Sequence, residues 1–201
     1  MPPEVKTILT LGGLGAGYLS FIRILWGDFR VWQKRPRLRI DFDPAEDLRE
    51  WTLLNTGRKQ KVATVHVRNT GKTTASRCVA ILKLVSAPIG VHVPEKESAL
   101  HWADTDYSAR TNTTEAVEIG FERRRLDVAF TFVEGESSPS GMWIAIPFAL
   151  SIPLAAAQAH LSPGEYHFSL SVACENGKGC SRGFVIISPQ AWTDLSMRAT
   201  E

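Results

Sequence analysis

Cysteine is scarce in this chain of 201 residues. Three cysteines with no C-x-x-C pair are neither a disulfide framework nor a set of structural zinc ligands. An excess of one charge is scarce as well. The 23 lysines and arginines stand against 21 aspartates and glutamates, a surplus too small for a nucleic-acid binder, which needs a basic excess on one face. The short motifs of common catalysis are missing: there is no G-x-S-x-G, no Walker A loop, no H-E-x-x-H and no G-x-G-x-x-G opening a βαβ unit. No cofactor is implied, and no enzyme is expected. With 44% hydrophobic and 22% charged residues the composition is that of a folded domain, which excludes wholesale disorder, collagen and coiled coil.

What is present begins with an apolar run. Residues 7–26 read TILTLGGLGAGYLSFIRILW, and as a helix they would measure about 30 Å, the hydrocarbon thickness of a bilayer. Ile8, Leu11, Leu14, Tyr18, Phe21, Ile22, Leu25 and Trp26 would meet lipid. Arg23 would snorkel toward a flank that holds Trp32 and the cations Arg30, Lys34, Arg35, Arg37 and Arg39. Before the run stands only Lys6, opposed by Glu4, so the positive-inside rule places the rest of the chain in the cytoplasm of a single-pass membrane protein. Two readings compete: a cleaved signal peptide, against which the bulky end of the run argues, and a helix packed on its own domain, for which the run offers little polar face. Gly13 and Gly17 form a G-x-x-x-G that would let two such helices pair into a homodimer, although a glycine-rich run generates that spacing by chance.

Beyond Pro36 the pattern has period two. Leu38, Ile40 and Phe42 alternate with Arg37, Arg39, Asp41 and Asp43; Ala63, Val65 and Val67 alternate with Thr64, His66 and Arg68. A strand over 76–85 carries apolar residues on both faces and is expected to be covered on both sides or central, forming a hairpin with the preceding strand across the turn residues Asn69, Thr70, Gly71 and Lys72. Residues 86–97 read as loop, 99–102 and 117–121 as short strands, 126–132 as a strand, and 142–150 as an extended run broken by Pro147. Residues 153–160 hint at a helical turn. Ser162, Pro163 and Gly164 then turn the chain into a strand with Tyr166, Phe168, Leu170, Val172 and Cys174 inward, followed by a loop over 175–179 and a return strand over 184–188.

Short strands with no long helix between them predict an all-β, antiparallel sandwich of about 7–9 strands after one apolar helix, immunoglobulin-like by the resemblance that two of its motifs carry. The expected organisation is an anchor and basic flank over 1–35, a sandwich over 36–190 and a tail over 191–201. The stretch from Val67 through Asn69, Thr70, Gly71 and Lys72 to Cys78, with Leu161, Ser162, Pro163, Gly164, Glu165 and Tyr166, resembles the immunoglobulin-like repeats of bacteria and archaea called CARDB-like. Those motifs cover about a third of the chain, and residues 86–114 depart from the compact pattern. The resemblance implies a non-catalytic interaction module and names no ligand.

Three groups of residues remain. Cys174 and Cys180 flank a five-residue loop and would face each other across a hairpin, bonded only in an oxidising compartment; Cys78 is left over. His101, Asp104 and Asp106 are the one compact His and carboxylate group, the basis of a hydrolase alternative. Glu122, Arg123, Arg124 and Arg125 form a cluster that reads as a solvated loop or as a second contact to lipid or an acidic partner. The leading expectation is a membrane-anchored binding or scaffolding module whose partners are membrane lipid and a protein. The runner-up is an outward-facing adhesion or envelope domain, with Asn112, Thr113 and Thr114 as a glycosylation sequon.

Overall fold

Alternating side chains fold into strands when one face can be buried, and here two faces meet. A computed structural model describes residues 34–52, 59–91, 97–100, 102–103, 116–132, 141–144 and 160–200. One sheet runs β1 (Leu38–Asp41), β3 (Lys59–Asn69), β7 (Arg124–Phe132), β8 (Met142–Ile144) and β9 (His160–Leu161), with β2 (Leu48–Thr52) also paired to β3. The other runs β12 (Ser196–Ala199), β11 (Cys180–Ser188), β10 (Gly164–Ala173), β4 (Ala75–Ser86) and β5 (Glu97–Ala99), with β6 (Val117–Ile119) also on β4. All the pairings between strands are antiparallel. A four-residue helix, α1 (Pro44–Asp47), starts with Pro44 in the first turn and Asp43 as N-cap, its carboxylate accepting from the Ala45 amide.

Both sheets contribute to a single buried cluster. Ile40, Val65, Val67, Leu126 and Val128 come from the first, and Cys78, Ala80, Leu82, Phe168, Leu170 and Phe184 from the second. On β10 the alternation holds residue by residue: Tyr166, Phe168, Leu170 and Val172 are buried while Glu165, Ser171 and Ala173 are exposed. Each large side chain so buried is worth roughly 1.5–3 kcal/mol of transfer free energy. The Tyr166 hydroxyl, which would otherwise be a buried donor without an acceptor, donates to the Ser162 carbonyl at 2.9 Å, four residues back.

The strand over 76–85 is flanked on both sides, as its two apolar faces suggest: β4 lies between β10 and the short strands β5 and β6. The hairpin expected between β3 and β4 is not formed. These strands belong to different sheets, β3 pairing with β1, β2 and β7, and β4 with β10, β5 and β6. The turn residues do turn the chain, the Asn69 carboxamide accepting from the Gly71 amide two residues on, but the five residues after Asn69 carry it from one sheet to the other instead of back along the same sheet. Residues 196–199, set apart from the sandwich in the sequence reading as part of a tail, are a strand in register with β11, and Leu195 and Met197 are buried beneath it. The apolar run 7–26, with Gly13, Gly17, Arg23 and the flanking Arg30, lies outside the described residues. Among the described residues no helix is long and apolar enough to cross a membrane.

Candidate functional site

Strand registers decide which loops share an end of the sandwich. Leu38 pairs with Asn69, Arg124 with Val67, Ala75 with Ile119, and Ala173 with Val79. Four separate segments therefore meet at one end: the incoming residues 34–37, the link 70–74, the loop 120–123 and the loop 174–179.

Two asparagines tie them together. Buried Asn69 accepts through Oδ1 from the Arg37 amide at 3.0 Å and the Gly71 amide at 2.9 Å. Its Nδ2 donates to the carbonyls of Thr73 at 2.6 Å and Ile119 at 3.2 Å. Asn176 does the same on the other side, accepting from the Ser76 amide and donating to the Thr74 carbonyl, both at 2.9 Å. Asn69 uses both acceptor sites and both N–H groups, which is what keeps a buried polar side chain from costing stability, whereas exposed Asn176 makes one bond through each of its two atoms. The incoming segment is held further by Thr70, whose amide and hydroxyl both donate to the Arg37 carbonyl at 2.8 and 3.0 Å, and by the Thr73 hydroxyl on the Lys34 carbonyl at 2.7 Å. Pro36 is buried between two glycines: a Cβ on Gly71 would collide with the backbone of Arg35 and Pro36, and one on Gly177 with the Pro36 ring.

This end is cationic. Lys34, Arg35, Arg37 and Arg39 of the expected basic flank are exposed; Arg39 lies farther along β1, where it pairs with Asp41 at 2.9 Å. The structure adds Lys72 and Lys178, both exposed, on the tips of neighbouring loops, and Arg77, whose ion pair with Glu175 spans 3.9 Å. The 122–125 cluster divides: Glu122 and Arg123 are exposed in the loop, whereas Arg124 and Arg125 are half-buried in β7, Arg125 lying 3.7 Å from Asp127. Phe121 beside them is 75% exposed. A shallow open cleft of about 590 Å³ lies here, lined by Lys34, Arg35, Pro36, Thr73, Glu175 and Asn176. A signal for the two added lysines was present in the sequence: each follows a glycine in an asparagine turn, at 69–72 and 176–178, but nothing local says that the turns are neighbours.

The cysteines lie just inside this end. Cys180 pairs in register with Val172, so it does not face Cys174 across the hairpin. Cys174 instead continues the register that sets Ala173 against Val79, which brings it to Cys78. All three are free thiols. Burial, and then the Cys174 thiol beside it, pushes Cys78 from its ordinary 9 up to about 12. Burial again, with Cys174 and Asp41 nearby, pushes Cys180 up to about 11. Such thiols stay protonated at neutral pH, which makes them poor nucleophiles and poor metal ligands.

A cluster that sequence reading missed sits on the outer face of the first sheet. The carboxylate of buried Asp47 lies 2.9 Å from His66 Nδ1 and accepts from the Asp43 amide at 2.8 Å and the Thr64 hydroxyl at 3.3 Å. Thr64 thus points at the carboxylate and the Asp47 carbonyl rather than at the imidazole, an arrangement that fastens α1 to β3 and supplies no activated hydroxyl. His101, Asp104 and Asp106 lie outside the described residues. Among the described residues, no three His, Cys, Asp or Glu side chains converge to hold a metal ion. Comparison with known proteins adds no relative: no family model, no curated protein and no solved structure matches the chain.

Proposed function

We propose that the protein is a membrane-anchored, non-catalytic binding module: a single apolar helix over 7–26 holds an immunoglobulin-like sandwich at the cytoplasmic face. One observation carries the proposal. The chain passes from the apolar run into the sandwich through residues 34–37, and that passage is clamped into the end where the exposed cations gather. A domain tethered to an anionic leaflet presents its cations there.

Two features support the immunoglobulin-like description. β1, β3 and β7 lie together, as do β4, β10 and β11, the division in which A, B and E strands oppose C, F and G. The hydroxyl of Tyr166, near the start of β10, bonds back to Ser162 in the manner of a tyrosine corner. The proposed role of the sandwich is to hold a protein partner near the bilayer.

Carbonate extraction and protease protection test the anchor and its orientation. The full chain stays in the membrane pellet at alkaline pH, and protease added to intact cells leaves the sandwich whole. Release into the aqueous fraction would refute the anchor. Cleavage from outside would favour the outward-facing alternative.

A further inference from the structure

We infer that the cation-rich end of the sandwich is itself a docking surface for anionic phospholipid headgroups, with Phe121 as the side chain that enters the interfacial layer. For its tether this rests on the anchor proposed above; the charge and the exposed aromatic stand without it.

Charge is the first argument. Among the described residues seven exposed cations stand at this end, Lys34, Arg35 and Arg37 on the incoming segment with Lys72, Arg77, Arg123 and Lys178 on and beside the loops, against three exposed carboxylates, Glu118, Glu122 and Glu175. The whole chain has a surplus of only +2, so the excess is concentrated rather than spread. Four segments supply it, each at a loop or strand end, which produces a broad cationic face that fits a plane of negative charge. Basic residues on such a face are attracted within a Debye length of an anionic leaflet.

Phe121 is the second. It is 75% exposed, in a loop flanked by Gly120 and by the charged Glu122 and Arg123. An aromatic ring with cations around it is the composition of a membrane–water interface, where the ring sits at headgroup depth and the cations meet phosphate. The nearly bare Ile89 makes the contrast: it follows β4 at the opposite end of the sandwich, with Pro88 and Gly90 as neighbours and no cation beside it in sequence.

Tether length is the third. Seven residues lie between Trp26 and Lys34, so eight residue-to-residue steps span at most about 28 Å of extended chain. The ten residues of β10 alone span about 33 Å. The tether therefore keeps the cationic end near the bilayer and leaves the far end out of reach when the sandwich stands upright.

The experiment uses the full chain reconstituted into vesicles of phosphatidylcholine, with or without one-third phosphatidylserine, carrying p-benzoylphenylalanine in place of Phe121 or of Ile89. On irradiation, position 121 forms lipid adducts about fivefold more than position 89 in anionic vesicles. The excess falls to near parity in neutral vesicles, in about 0.5 M salt, or with Lys72→Glu and Lys178→Glu together. If the chain floats with both kinds of vesicle yet 121 reacts no more than 89, the docking surface is overturned while the anchor stands. If the chain fails to float with neutral vesicles but still binds anionic ones through position 121, the anchor is overturned while the surface stands. Adducts at 121 with a copurifying acidic protein or nucleic acid, and none with lipid, would assign the face to that partner and also overturn the proposal.

Discussion

At one end of the sandwich the loops are held by side-chain amides, and at the other by an aromatic ring, a proline and a 3-10 turn. Asn69 and Asn176 each bridge two segments at the cationic end. At the far end Tyr166 bonds to Ser162, Pro88 packs against Gly164 so closely that a Cβ there would strike its ring, and the 3-10 turn Trp192–Asp194 receives the Thr131 hydroxyl on the Trp192 carbonyl at 2.9 Å. The difference is one of tolerance to water. Amides that bond backbone in both directions can fix loops whose outer surfaces stay charged and wet. Rings and prolines fix loops by excluding water. The amide construction leaves the surface above it free to carry cations while its loops keep their shape.

The largest expected effect applies to the core that both ends share and sets the scale for the rest. Phe168→Ala should cost about 4 kcal/mol and the adjacent His167→Ala under about 1, read from urea midpoints, because one side chain is buried and its neighbour half-exposed. Next comes the amide end. Asn69→Ala leaves the Arg37 and Gly71 amides and the Ile119 carbonyl short of partners, and should cost about 3 kcal/mol. At the aromatic end Tyr166→Phe removes one hydrogen bond, keeps the ring and should cost about 1 kcal/mol. If the two variants destabilise equally, the contrast between the ends is wrong.

An alkaline titration sharpens the comparison from the thiol side. Cys78 and Cys180 hold their protons in the fold up to about 12 and about 11, against an ordinary value of 9. Below pH 9 both states are protonated and nothing is lost; above it the unfolded chain ionises first, so stability falls progressively as pH rises from 9 toward 12. A Cys78→Ala, Cys180→Ser variant should show a shallower fall when urea midpoints are compared across that range. The smallest effect on folding is expected at the surface: Lys72→Ala and Arg123→Ala should each change stability by less than about 0.5 kcal/mol, since both side chains are exposed.

Much of the sandwich was legible as alternation, and what escaped was what depends on distance along the chain. The β10 core residues could be chosen from period two because one strand contains the whole signal. The approach of Cys174 to Cys78 could not, since it is set by a register between strands far apart in sequence. Turn composition at 69–72 was right about a change of direction and silent about its destination, because Asn69 is satisfied by the turn itself and by partners on two distant segments, at Arg37 and Ile119. β12 is four residues long and carries no period of its own; pairing with β11 makes it a strand. As for the site, the runs of arginine were visible, but Lys72 and Lys178 join them only in three dimensions.

The seating of Pro36 between Gly71 and Gly177 has a mechanical consequence. A pull applied through the incoming chain cannot be absorbed by a swivel, because the residues just before β1 are wedged and bonded on both sides. The load passes straight into β1, whose hydrogen bonds to β3 run perpendicular to the direction of pull. They are stressed together, in shear, instead of opening one after another as in a zipper. A pull along β1 would therefore meet all of its bonds to β3 at once, with no free joint at Pro36 to relieve them.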